Sequence, residues 1–210
     1  AAIINEINQT RAVHILTIED PIEYTYTQGK SLVSQRELGS DTYSWAKALR
    51  SALRQDPDVV LIGEMRDPET ISSAITIAET GHLVFSTLHT NSASQSIDRI
   101  VDVFPPHQQS QIRLQLANAL EAVISQRLIP TITAGRVPAI EILLASDAVR
   151  TNIREGKTHL IDNIIKTSGA LGMITLENAL AVLVRDGKIS LDVATSFALR
   201  PDELMRILGH

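Results

Sequence analysis

The sequence predicts an α/β fold: a mostly parallel sheet covered by helices, followed by a small helical domain. Short continuous apolar runs recur at 14–18, 59–62 and 83–87, with helix-length segments between them. Continuous apolar strands spaced in this way imply a parallel sheet covered on both faces. From 147 onward the pattern is helical, broken at Gly156, Gly172 and Gly187.

At the start, Ala1, Ile4 and Ile7 share one face at helical spacing. A chain that opens mid-helix without Met is expected to be a fragment. The run 14–18 ends at Glu19-Asp20-Pro21, and proline disfavours helix in the residue before it, so a strand should end there. Residues 41–54 read as a helix with Asp41 as N-cap. The strand 59–62 leads into Gly63-Glu64, and the helix 68–80 has proline in its first turn and Gly81 beyond its end. After the strand 83–87 come a helix at 93–103, closed by Pro105-Pro106, and a long helix at 107–127. A hairpin is expected from 128–132 and 137–144 around Ala134-Gly135. Asp147, Thr158, Thr175 and Ser190 are expected caps of the C-terminal helices.

Composition narrows the function. Hydrophobic residues are 44% and charged residues 20% of the 210, which is globular and excludes a disordered or fibrous chain. The formal net charge of −5 argues against a nucleic-acid binder. With no cysteine there is no disulfide, thiolate zinc site, cysteine nucleophile or iron–sulfur cluster. No apolar run approaches the roughly 20 residues that span a bilayer, and no signal peptide is visible. The expectation is a soluble cytoplasmic protein.

Open α/β sheets bind ligands at the carboxyl ends of their strands. Glu19, Asp20 and Glu23 follow the first run; they read either as a solvated acidic loop or as carboxylates that activate water beside a metal-bound phosphate. Val60-Leu61-Ile62-Gly63-Glu64 ends a buried strand in a carboxylate, as nucleotide-hydrolysing sheets do to hold Mg²⁺ or polarise water. His82 and His89 flank the third strand, with Ser86, Thr87 and Thr90 between them, and are expected on the same rim. A zinc site competes for these histidines, but their spacing matches no familiar zinc pattern. Arg36, Arg50, Arg54 and Arg66 lie near these elements and serve either phosphate or surface ion pairs. No G-x-x-x-x-G-K-[ST] loop occurs anywhere in the chain.

Three segments together resemble the type IV pilus and type II secretion ATPases. Residues 17–24 (TIEDPIEY) resemble that family's Asp box, 53–67 (LRQDPDVVLIGEMRD) its Walker B region, and 80–91 (TGHLVFSTLHTN) its His box. The resemblance implies a RecA-like P-loop NTPase core that uses ATP and Mg²⁺, here lacking the Walker A segment, which should lie just before Ala1. It implies a partial ATPase domain over 1–145 and a C-terminal helical domain over 146–210. It implies that Glu23 activates water, that Glu64 works with Mg²⁺ through a water, and that His82 and His89 face the nucleotide with Arg50 and Thr87. The absence of a four-cysteine module after 126–128 favours the PilT-like retraction branch. Residues 148–157 resemble that branch's C-terminal motif through Ala148, Arg150, Ile153, Arg154 and Glu155, departing at Val149, Thr151 and Asn152. The implied protein is a homo-hexamer at the inner face of the cytoplasmic membrane, with no span of its own, no nucleic acid, and a pilus platform protein as partner. Two alternatives stay open: an assembly or secretion ATPase without its zinc module, and a non-catalytic fragment or paralogue that only joins a ring.

Overall fold

The computed structural model describes residues 1–209, which form two compact units. The first comprises 1–89 and 102–119, the second 90–101 and 120–209. Among the described residues no helix is long and apolar enough to cross a membrane.

The first unit is built on a four-stranded, all-parallel sheet in the order β2-β1-β3-β4, with β1 at His14–Glu19, β2 at Leu32–Glu37, β3 at Val59–Ile62 and β4 at Leu83–Ser86. Its two faces carry separate cores. Helices α2 (Trp45–Ala52) and α3 (Pro68–Glu79) put Ala48, Leu49, Ala74 and Ile77 against Ile18, Val60 and Ile62. Helix α1 (Ala2–Thr10) puts Ile4 and Ile7 on the other face, against Ile15 and Val59. Strands covered on both sides explain the unbroken apolar runs of the sequence.

Two local expectations are corrected here. Strand β2 stands in a stretch not expected to be a strand. It is the edge strand, and edges tolerate polar and charged residues. Helix α2 begins at Trp45 and is capped by Ser44, whose hydroxyl accepts from the Lys47 N–H at 3.2 Å. Asp41, the expected cap, instead accepts the N–H of Glu37 at 2.8 Å.

Helix α3 opens at Pro68, as expected; its cap, not foreseen, is the Asp67 carboxylate, which accepts from the Thr70 N–H at 2.9 Å and the Thr70 hydroxyl at 2.7 Å. Burial alone would raise the Asp67 pKa, but these bonds and backbone N–H donors outweigh it and hold the carboxyl below its ordinary range. Helix α4 follows at Ala93–Asp102 and α5 at Pro106–Ala119.

The expected long helix at 107–127 is therefore two elements, because residues from Ala122 belong to a strand. In the second unit β5 (Ala122–Pro130) pairs antiparallel with β6 (Arg136–Leu144), a longer hairpin than the sequence suggested. Among the described residues five α-helices follow: α6 (Asp147–Arg154), α7 (Ile161–Thr167), α8 (Leu176–Arg185), α9 (Leu191–Phe197) and α10 (Pro201–Leu208). Thr175 and Ser190 cap α8 and α9 through their hydroxyls, as expected. Asp147 is instead the first residue of α6, after Ser146, and Thr158 opens a 3-10 turn. Hairpin residues Ile129 and Ala139 share one core with Leu176, Leu180, Ala194 and Leu204, so this unit gathers the hairpin with the helices. Arg200 sits among carboxylates, 3.0 Å from Asp162, 3.1 Å from the fully buried Glu177 and 3.5 Å from Glu203.

Candidate active site

Parallel strands leave the sheet on one side, and β1 and β3 both deliver a carboxylate there. The two strand ends touch: Gly63 donates its N–H to the Ile18 carbonyl at 2.8 Å. A Cβ on Gly63 would stand 3.2 Å from the Glu19 Cα and 3.3 Å from the Ile18 carbonyl oxygen, so glycine permits this close approach. Buried Val60 and Ile62 anchor the strand, with Leu61 partly buried between them.

Glu64 follows on the rim. Its Oε2 is 2.7 Å from Arg66 and 3.4 Å from the Nε2 of His89, so Arg66 and His89 converge on one carboxylate oxygen. The pair Glu64–His89 joins residues that are 25 apart in the chain. Thr87, expected to face a nucleotide, donates its hydroxyl to the Gly63 carbonyl, and its own carbonyl accepts the Met65 N–H at 3.3 Å. It thereby fixes the turn from which Glu64 projects.

The first strand end is arranged differently. Glu19 is buried and accepts from the Thr17 hydroxyl at 2.7 Å and from the Gln35 side chain at 3.3 Å. Asp20 and Glu23 are exposed in the loop that follows. That loop turns back over the α1 face, where Tyr26 packs near Ile4, Ile15 and Val59. Burial raises the Tyr26 pKa, and the neighbouring Glu19 and Tyr24 add to the rise.

His82 is not on this rim. It precedes β4, whose first residue Leu83 pairs with Val59 at the start of β3, so His82 lies at the amino end of the sheet. The expectation joined both histidines because they flank one strand. The flanks of a four-residue strand lie on opposite sides of the sheet, about 13 Å apart at roughly 3.3 Å per residue. The Nδ1 of His82 is 3.0 Å from the Ile77 carbonyl and 3.1 Å from the Thr80 hydroxyl, at the C-terminus of α3. Arg50 pairs with Glu69 at 3.4 Å, both well exposed, and does not join the Glu64 group.

In the second unit, α6 carries the C-terminal motif. Val149 and Ile153 are fully buried, Arg150 pairs with Glu121 at 3.3 Å, Arg154 donates to Thr151, and Glu155 pairs with Lys157 at 2.8 Å. Ala148 is exposed, and its carbonyl accepts from the Asn152 side chain at 2.8 Å. Asn152 is thus satisfied within its own helix.

Three residues of the site escaped the sequence reading. Arg66 was one of four arginines without distinction, although extended spacing of two places it beside Glu64. Gln35, and Glu37, whose carboxylate accepts the Ile22 N–H at 3.0 Å in the loop after β1, lie in the unrecognised strand β2.

Among the described residues no group of three or more His, Asp or Glu side chains forms a metal cage. Mg²⁺ does not need one, since it keeps several waters and takes one or two carboxylates plus substrate phosphates. A single rim carboxylate such as Glu64 fits that donor set.

Residues 1–140 match the type II/IV secretion system protein family. A twitching motility protein of Neisseria gonorrhoeae is 55% identical over 195 residues, covering 92% of this chain and 52% of the relative. The type IV pilus retraction ATPase PilT of Pseudomonas aeruginosa is 52% identical over 202 residues, covering 96% of this chain and 59% of that protein. The crystal structure of the pilus retraction motor PilT with bound ADP superposes with a TM-score of 0.89 at 49% identity, covering 98% of this chain and 58% of that one. The fold is accordingly the RecA-like α/β core with a helical C-terminal part. The chain spans between half and three-fifths of the length of these relatives, and it belongs to the type II/IV secretion system protein family.

Proposed function

We propose that this chain is the C-terminal part of a hexameric ATPase whose ATP hydrolysis powers type IV pilus retraction. The observation that carries the reading is the rim carboxylate of Glu64, met by Arg66 and His89, in a chain about half identical to PilT. In this reading Glu64 would hold Mg²⁺ through a water, and the ion would supply charge neutralisation at the phosphates. Glu64 keeps its geometry through the Thr87–Gly63 hydrogen bond, and His89 senses the nucleotide through Glu64. Glu23, exposed beyond β1, activates the attacking water. Arg50 and His82 come to the nucleotide only through the resemblance, and the geometry supports the rim without them. The match to the retraction ATPase covers 96% of the chain, and this supports retraction as the output. The partner is a pilus platform protein at the cytoplasmic face of the inner membrane. The modules proposed for the chain are a partial ATPase domain over 1–145 and a C-terminal helical domain over 146–210.

The test uses the whole protein, with the P-loop half ahead of these residues. Mg²⁺-dependent ATP turnover is expected, and Glu64→Gln should lower kcat by at least about a hundredfold. Turnover by the variant within a factor of two of the wild type would contradict the assignment.

A further inference from the structure

Glu23 projects from an exposed loop, yet the backbone on both sides of it is tied down from β2. The Glu37 carboxylate accepts the Ile22 N–H at 3.0 Å. The Gln35 side chain accepts the Tyr26 N–H at 3.1 Å through Oε1, and through Nε2 donates to the Tyr24 carbonyl at 2.9 Å and to Glu19 at 3.3 Å. In the parallel register Gln35 stands opposite Thr17 and Glu37 opposite Glu19. Alternate residues of a strand point to one face, so these four polar side chains lie together on the face over which the loop folds. Arg36, between them, points the other way and bonds Ser51 and Gln55 beside α2. The far end of the loop is held by Asn8 of α1, which donates from its side chain to the Thr27 carbonyl at 2.9 Å and accepts the Lys30 N–H at 2.7 Å on its backbone carbonyl.

We infer that Gln35 is a positioning residue for the proposed water-activating carboxylate: it acts as a short strand mimic that fixes the loop backbone around Glu23 and ties it to Glu19. The inference rests on the reading of Glu23 given above. A general base contributes only when held within hydrogen-bond reach of the proton it takes, and a misplacement of about 1 Å costs up to roughly a hundredfold. Gln35 supplies both donor and acceptor, which a carboxylate or an apolar residue of the same length cannot.

The experiment is a double-mutant cycle on ATP turnover by the whole protein. Gln35→Met keeps the side-chain length and removes all three bonds. It is expected to lower kcat about tenfold or more with KM for ATP within about twofold. In a Glu23→Ala background the same change should do nothing further, because the carboxylate it positions is gone. Arg36→Met loosens the same strand from α2 and should show no such dependence on Glu23. An equal loss from Gln35→Met with and without Glu23, or the same Glu23-dependent loss from Arg36→Met, overturns the inference while leaving the role of Glu23 intact. If Glu23→Ala alone leaves kcat unchanged, the reading of Glu23 fails and the inference falls with it. Hydrogen exchange on the wild type gives an arm that needs no variant to fold: the Tyr26 amide, held by Gln35, should be protected at least about tenfold over a free loop, and unprotected exchange there overturns the inference.

Discussion

At Gly29 the loop that carries Glu23 passes against α1 with no space for a side chain. A Cβ there would stand 2.5 Å from both the backbone and side-chain oxygens of Asn8, a buried residue of α1. Asn8 donates to the Thr27 carbonyl at 2.9 Å and accepts the Lys30 N–H at 2.7 Å on its backbone carbonyl, which ties helix and loop together, so neither backbone retreats cheaply. Gly29→Ala should therefore destabilise the protein by about 1–3 kcal/mol, the usual range for overpacking, seen as a lower urea midpoint at unchanged m-value. An unchanged midpoint would show that the loop is free to move off α1. The same scale separates what single residues disclosed. Glu64 and His89 were legible because each follows a continuous apolar run that forms a strand of the parallel sheet. His82 was misplaced because it was grouped with His89 as a flank of one strand, whereas chain direction in a parallel sheet puts a residue that precedes a strand at the amino end, away from the rim.

Among elements, β6 and α4 are joined by one buried acid. Glu141 accepts the N–H of Ala93, the first residue of α4, at 2.8 Å, where a negative charge favours a helix N-terminus. Burial raises the Glu141 pKa; the Ala93 bond opposes this, Asp162 and Glu177 add to it, and Arg200 opposes it. A carboxyl with a raised folded-state pKa binds its proton more tightly in the native state. Its contribution to stability is fully present below the ordinary carboxylate pKa and is lost as pH rises through the raised one. Glu141→Gln should flatten this fall in a urea-denaturation series across pH, and an unaltered pH profile would contradict the assignment. The elements that the sequence concealed have a common physical cause. Strand β2 is a polar edge in which Gln35 and Glu37 serve the loop, Arg36 bonds Ser51 and Gln55, and Val33 packs on the core of the α1 face. Strand β5 places Ile124 and Leu128 on its half-exposed face, and their spacing of four continues the helical pattern of α5. Spacing of four fits one face of a helix and one face of a strand equally. The central strands, buried on both sides, had no such ambiguity.

For the whole molecule, the parallel sheet and the helical C-terminal part were legible because strand and helix alternate with clear apolar runs. The arrangement within the second unit was not, since it depends on hairpin residues such as Ile129 and Ala139 packing with helices far along the chain. Under the proposed function, Glu64 on the rim serves a motor that shortens a pilus fibre. The most direct measurement is the retraction of fluorescently labelled pili in the source organism. A strain deleted for this gene would carry the whole protein as wild type or as Glu64→Gln, at equal abundance. The account predicts that the wild type restores retraction and that Glu64→Gln leaves the pili extended. Normal retraction in the deletion strain, or retraction at wild-type speed with Glu64→Gln, would contradict it.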